Sequence, residues 1–251
     1  GNHVVLGNRG SLVKTGYAVG GWTTNSNGTG TIYNSGEAYT FADASVTFYA
    51  KWLANTYTIT YNSNGATSGS PTNATQTYTS GNAGVTLTTV GSLVKTGYNF
   101  GGWSTVAGGA ALTGAYTTSA DVTLYAVWNV KTVNVTYSKG AAASSSFSSF
   151  PNSQASIFGA RATLSSNIDA LVDISGVTYE FMGWSDGTSK YSAGEPYLLG
   201  EADVTMTAQW ARVFQVQYTL NGGSGVLASD TECSTNAGGG IWLCSNNQVI
   251  T

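Results

Sequence analysis

Tyr57-Thr-Ile-Thr-Tyr-Asn-Ser-Asn-Gly65 decides how the rest of the chain is read. Tyr57, Ile59 and Tyr61 fall on one side and Thr58 and Thr60 on the other, the period-2 pattern of a half-buried strand. The Asn-Gly that follows favours the positive backbone dihedrals of a tight turn. The same strand returns as Val133-Asn-Val-Thr-Tyr137 and as Phe214-Gln-Val-Gln-Tyr-Thr-Leu220, the last followed by Asn221-Gly-Gly223. Gln76-Thr-Tyr78 reads as a return strand.

Around these strands the chain repeats itself. GSLVKTGYAVGGW runs from Gly10 to Trp22, GSLVKTGYNFGGW from Gly91 to Trp103, and SGVTYEFMGW from Ser175 to Trp184, so the three tryptophans stand 81 residues apart. Each is followed by a closing strand, VTFYAKW, VTLYAVW or VTMTAQW, that ends on Trp52, Trp128 or Trp210. A period of roughly 80 residues is too long for one solenoid turn and long enough for a small domain. The expected modules are an incomplete first repeat at 1–52, complete ones at 55–128 and 131–210, and a divergent or partial one at 213–251. Joints of three residues (53–55, 129–131, 211–213) restrict rotation and imply a semi-rigid, elongated rod. Trp22, Trp52, Trp103, Trp128, Trp184 and Trp210 are read first as module core. Exposed stacking platforms are the alternative. A short helix is expected at Asn167–Val172, with Asn167 as cap and Ile168, Leu171 and Val172 on one face. Leu87–Val94 is a short helix or an irregular crossing, and Ala141–Phe150 (AAASSSFSSF) reads as a flexible loop.

Composition narrows the function. Charged residues make 8% of the chain against a usual quarter, while 15 Tyr and 7 Trp supply the apolar surface for a core. The nine basic residues are not clustered, which argues against nucleic-acid partners and a polybasic membrane contact. No apolar run is long enough to span a bilayer. Gly1 falls inside a repeat, so sequence upstream is expected to have been removed or to belong to a longer protein. Cys233 and Cys244 lie in a Gly/Ser-rich segment and are expected to close a local disulfide in an oxidising compartment.

The succession Y-T-I-T-Y-x-x-N-G, K-T-G-Y-x-F-x-G-W and D-V-T-L-Y-A-x-W resembles the Listeria–Bacteroides repeat, also called the internalin B-type B-repeat. The resemblance covers Tyr57–Trp128 best, then Val133–Trp210 and Leu12–Trp52, and only the first strand and turn of the final segment. It implies mainly β modules of β-grasp-like fold with at most a short helix each, found in tandem in extracellular bacterial proteins as stalks, spacers and adhesion modules. It brings no catalytic residues. Met182-Gly183-Trp184 departs from the Gly-Gly-Trp pattern, and the cysteine segment does not match at all.

A search for chemistry finds little that converges. Asp43, Asp121 and Asp203 recur before the closing strand and are read as local turn acceptors. Glu37 and Glu195 share G-E-x-Y, but the middle repeat has Gly114-Ala115-Tyr116. His3 has no expected partner, and two thiols with a distant histidine make a poor zinc site. Lys14 and Lys95 share one repeat position and are read as snorkelling side chains, with an intramolecular isopeptide bond as the alternative. No nucleophile elbow, zincin motif or phosphate-binding loop occurs. The reading is therefore a non-enzymatic, extracellular structural or adhesive repeat protein without cofactor or metal. Its partners are other copies of itself or adjacent modules, with a surface glycan or a host or cell-surface protein as further possibilities. A carbohydrate-binding array is the rival. Each terminal module lacks strands, which suggests strand donation from Phe214, Val216, Tyr218 and Leu220 to the head of another copy, giving a filament.

Overall fold

The computed structural model describes residues 2–214 in full and the strands 233–235, 242–244 and 249–250 by their backbone. The first repeat contributes β1 (His3–Val5), β2 (Tyr17–Thr23), β3 (Ala38–Thr40) and β4 (Tyr49–Ala54). The second contributes β5 (Thr56–Asn62), β6 (Thr75–Thr79), β7 (Tyr98–Ser104) and β8 (Val122–Val130). The third contributes β9 (Thr132–Ser138), β10 (Gln154–Ile157), β11 (Arg161–Thr163), β12 (Leu171–Ile174), β13 (Val177–Ser185), β14 (Lys190–Tyr191), β15 (Pro196–Leu198) and β16 (Val204–Phe214). The protein is mainly β, and it divides into two compact units, Gly1–Asn129 and Val130–Thr251.

In the second repeat the sheet order is β6-β5-β8-β7. The first and last strands lie side by side and parallel at the centre, Ile59 opposite Val122 and Tyr61 opposite Leu124. The alternation read in Tyr57–Tyr61 has a physical purpose here: Ile59 and Tyr61 face a core with Tyr78, Leu93, Trp103 and Leu124, while the threonines face out. The third repeat reuses the plan as β10-β9-β16-β13, with β9 and β16 parallel and Tyr137 opposite Met206. All three repeats also share a small antiparallel contact at equivalent positions, Val4 with Tyr39, Val85 with Tyr116 and Ala162 with Tyr197.

The Gly-Trp dipeptide is a bulge. Gly21, Gly102 and Gly183 have φ of 122°, 123° and 121°, and the registers of β2 on β4 and of β13 on β16 slip there. A Cβ at Gly21 would stand 2.8 Å from the Tyr33 carbonyl oxygen, so a side chain is excluded by sterics as well as by φ.

The first repeat differs from the other two. Its β4 starts at Tyr49, whereas β8 and β16 start at the positions equivalent to Val46, and residues 46–48 belong to no strand. These are the positions that, in the other repeats, form the parallel ladder with the central strand. Within the first unit the joint is short and fastened: Asn55 N–H donates to the Gly16 carbonyl and the Asn55 carbonyl accepts from Ser80 N–H, both at 2.9 Å.

One expectation is corrected and two are sharpened. Asn167–Val172 is not a helix: the chain bends there and enters β12, which pairs with β13 through a two-residue turn with φ of 53° at Ser175 and 79° at Gly176. Val172 and Ile174 are β-branched, and that tight turn favours pairing over the competing i, i+3, i+4 pattern. Leu87–Val94 is an irregular crossing. Ala141–Phe150 is a loop, as expected, but one that packs on the third repeat. It opens on a 3-10 turn (Gly140–Ala142) with Ala142 fully buried, the Asp169 carboxylate accepts from Ser148 and Ser149 N–H at 2.6 and 2.9 Å, and Phe147 and Phe150 pack on Trp210 and Trp184. Among the described residues that turn is the whole helical content.

Beyond Phe214, β17 (Cys233–Thr235) pairs with the end of β16 and with β18 (Trp242–Cys244), which pairs with β19 (Val249–Ile250). Cys233 and Cys244 stand opposite each other in the backbone register. Their side chains, and with them the expected disulfide, lie outside the described residues, as do Val216, Tyr218 and Leu220.

Candidate functional site

In the two complete repeats the recurring groups meet around the central strand. In the second repeat the Tyr61 ring lies 4.6 Å from the Trp103 ring. Its hydroxyl donates to Gln76 Oε1 and accepts Thr88 N–H at 3.2 Å, while Trp103 Nε1 donates to the Thr88 carbonyl at 2.7 Å. The third repeat reproduces each contact, with the glutamine amide turned so that it donates. Tyr137 lies 4.7 Å from Trp184, accepts Ser165 N–H at 2.9 Å and Gln154 Nε2 at 3.1 Å, and Trp184 Nε1 donates to Ser165 O at 2.8 Å. One tyrosine and one tryptophan thus satisfy both backbone groups of a loop residue that crosses the core. Burial raises the pKa of both tyrosines, and the N–H donated by Thr88 or Ser165 opposes it in part. The phenols are therefore neutral at pH 7 and available as donors.

The recurring aspartates are not local turn acceptors. Asp121 Oδ1 accepts Thr58 N–H at 2.8 Å across 63 residues of sequence, and Asp203 Oδ1 accepts Asn134 N–H at 2.8 Å across 69. Asp203 Oδ2 also accepts Asn134 Nδ2 at 3.2 Å. Each carboxylate pins the first strand of its repeat to the last. The Asn134 backbone N–H, then its side-chain amide, lowers the Asp203 pKa. Asp43 is exposed, sits two residues further from its closing strand, and makes no hydrogen bond among the described residues.

The six tryptophans divide. Trp103 is 3% exposed and Trp184 fully buried, while Trp22, Trp52, Trp128 and Trp210 are half-buried. Trp128 Nε1 donates to Ser63 O at 3.0 Å and Trp210 Nε1 to Lys139 O at 2.8 Å. Trp22 Nε1 donates to Gly7 O at 3.1 Å, the counterpart of Thr88 and Ser165; Tyr33 pairs with Trp22 through the backbone, but among the described residues no tyrosine ring packs on the indole. Beside Trp128 a cleft of about 480 Å³ is lined by Asn64, Lys95, Gly101 and Asn129.

The other candidates play local parts. Glu37 and Glu195 each accept a turn N–H at 2.7 Å, from Asn34 and Ser192. Lys14 and Lys95 place their ammonium groups 4.1 and 4.6 Å from the rings of Tyr17 and Tyr98, as cation–π contacts. His3 lies in β1 opposite Thr40. Sequence reasoning missed the bracing role of Tyr61 and Tyr137. The signal was there, since both close the alternating run and are followed by a glutamine at Gln76 or Gln154.

Two complete repeats of one β-plan, closed by the same side-chain contacts, and a first repeat that shares their glycine bulge define a tandem β-repeat protein. The chain matches the Listeria-Bacteroides repeat domain family over residues 4–51 and 57–127. It is also similar to a protein of Evansella cellulosilytica called a Gly-rich membrane protein, at 30% identity over 231 residues, 88% of this chain and 24% of that protein. The chain thus spans about a quarter of that relative's length. No solved structure matches it.

Proposed function

We propose that the chain is an architectural segment of an extracellular bacterial surface protein: a spacer of β-grasp-like modules at 1–52, 55–128, 131–210 and 213–251 that joins other copies head to tail by strand donation. One observation carries it. The carboxylates and indoles that recur from repeat to repeat are spent on contacts inside each complete repeat, Asp121 on Thr58, Asp203 on Asn134, Trp103 on Thr88 and Trp184 on Ser165. Groups used this way hold a unit together. The parallel central pair in β6-β5-β8-β7 supports the β-grasp-like reading. The relative's description as a membrane protein supports the surface, and among the described residues no helix is long and apolar enough to cross a membrane.

Deleting Phe214–Thr251 and measuring the mass of the assembly tests the joining. The truncated chain should stay monomeric, and identical filaments from it would refute donation. Small-angle scattering tests the rod: a radius of gyration near the roughly 18 Å of a compact chain this long would overturn it. The facing positions of Cys233 and Cys244 support a disulfide, which intact mass before and after reduction checks.

The cleft beside Trp128 favours a second reading, binding of a sugar ring against the indole with Asn64 and Asn129 as polar partners. A soluble bacterial polysaccharide should then perturb tryptophan fluorescence in the native chain and not in Trp128→Ala.

A further inference from the structure

We propose that the cleft beside Trp128 selects sugars that carry a carboxylate, with Lys95 as the group that reads the charge. This rests on the sugar-binding reading given above and names the class of sugar. Lys95 is the one charged residue in a lining otherwise made of Trp128, two asparagines and small or apolar residues. Its ammonium lies 4.6 Å from the Tyr98 ring and makes no ion pair among the described residues, whose salt bridge is Lys131 with Glu201. In a chain with only 8% charged residues, an ammonium without a carboxylate beside an open cleft is a place for an anion.

The other repeats occupy the equivalent positions differently. In the third, Met182 stands in the place of Gly101, Gly176 in that of Lys95 and Ala211 in that of Asn129. Gly140 replaces Asn64 on the same left-handed backbone, with φ of 59° against 47°. Trp210 has two ring neighbours, Phe181 at 5.5 Å and Phe147 at 5.8 Å, whereas Trp128 has Phe100 alone, at 5.7 Å. In the first repeat Leu53 takes the place of Asn129 and lies over Gly20, and Lys51, in the place of Val127, donates to the Gly28 carbonyl at 2.8 Å. The second repeat alone combines the lysine with a glycine at 101 and an amide at 129. A Cβ at Gly101 would stand 2.5 Å from Asn129 Nδ2, so the glycine is what leaves the amide its place.

The polar groups decide the ligand. Trp128 Nε1 is spent on Ser63 O, so the indole offers its ring and not its donor. Asn64 Nδ2 is spent on Ala126 O at 2.8 Å, which leaves Asn64 Oδ1 as an acceptor. The Asn129 amide is exposed and offers both donor and acceptor. A sugar ring matches this set, with a C–H face for the indole and hydroxyls for the two amides. An aromatic peptide side chain would use the indole and leave both amides without partners. A neutral sugar leaves the ammonium to water, whereas a carboxylate on the ring gives it a charge-assisted hydrogen bond.

Titrating the full chain with oligogalacturonate and with its methyl ester, which keeps the rings and removes the charge, tests the selection through tryptophan fluorescence. The acid should bind roughly tenfold more tightly than the ester, the worth of one charge-assisted hydrogen bond, and added salt should weaken the acid alone. Lys95→Gln should bind the two equally, at the affinity of the ester. Asn129→Leu, which repeats the first repeat's closure over Gly20, should bind neither while melting as the native chain does. Equal binding of acid and ester by the native chain leaves the sugar reading standing and overturns the selection. A preference for the acid that survives in Lys95→Gln overturns the part given to Lys95 and with it the proposal. Binding of neither sugar by the native chain overturns the sugar reading and this inference together.

Discussion

Gly10–Trp22 and Gly91–Trp103 are identical at 11 of 13 positions, yet the two stretches live in different surroundings. Leu93 is 5% exposed and its counterpart Leu12 is 45% exposed. Trp103 is buried, whereas Trp22 is half-buried. Both tryptophans make the same hydrogen bond to a backbone carbonyl, and both follow a glycine at φ near 120°. Local sequence therefore fixes the bulge, the indole direction and the carbonyl it holds. It does not fix burial, which is supplied by β5, a strand that ends 31 residues before Leu93 and 41 before Trp103 and that has no counterpart within residues 2–54.

The widest test of this comparison is to remove both rings. Trp103→Ala should destabilise the first unit by about 3–5 kcal/mol, the usual cost of truncating a buried aromatic. Trp22→Ala should cost about 1–2 kcal/mol, because part of its surface stays in water in the native state. Urea unfolding of the two variants compares them directly. Equal losses would mean that the first repeat is closed by something other than the contacts seen here.

Tyr61→Phe isolates the hydroxyl from the ring. The stacking on Trp103 survives, but Thr88 N–H and Gln76 Oε1 lose their shared partner in a buried setting. The expected cost is about 1–3 kcal/mol, more than an exposed hydrogen bond would give. The parallel change Tyr137→Phe should cost a similar amount in the second unit, where Ser165 N–H and Gln154 Nε2 are the groups left behind. A neutral result at both sites would reduce the bracing to packing alone.

How much of this was legible beforehand depended on whether a signal was local. The strand Tyr57–Tyr61, its turn and the Gly-Trp bulge were readable, because periodicity and glycine punctuation are properties of adjacent residues. The aspartate clamps were not. Asp121 and Asp203 look like turn residues until their closing strands lie beside strands formed 63 and 69 residues earlier. The stretch from Ala141 to Phe150 was legible only in part, for a related reason. Its serines and alanines read as a loop, and only packing shows that Phe147 and Phe150 stand against Trp210 and Trp184. Asn167–Val172 carried two periods at once, and pairing with β13 chose the strand.

At alkaline pH the buried tyrosines separate from the exposed ones. The folded-state pKa of Tyr61 and Tyr137 is raised by burial above the ordinary value of 10.0. The unfolded chain therefore loses these protons first as pH rises. The stability they contribute is full below the ordinary value and is lost as pH climbs through the higher folded value. Phenolate absorbance should show both titrating late in the native protein, with thermal midpoints falling over the same range. In Tyr61→Phe the alkaline fall should be shallower for the first unit.

The smallest effect expected belongs to the clamps at acid pH. Asp203 has a folded-state pKa below the ordinary 3.8, mainly because Asn134 donates its backbone N–H and then its side-chain amide. As pH falls the unfolded chain takes up the proton first. The clamp is therefore at full strength above the ordinary value and is lost as pH falls through the lower folded value. The carboxylate is fully exposed, so solvent screens it and the change in melting temperature should be small. Asp203→Asn keeps an oxygen for the Asn134 N–H and removes the charge. Its melting temperature should lie slightly below the native one at neutral pH, and the gap should close on acidification. Asp43→Asn is the control, since that carboxylate pins no strand among the described residues, and it should leave the midpoint unchanged throughout. A gap that stays constant for Asp203→Asn, or one that appears for Asp43→Asn, would break the distinction between clamped and unclamped repeats.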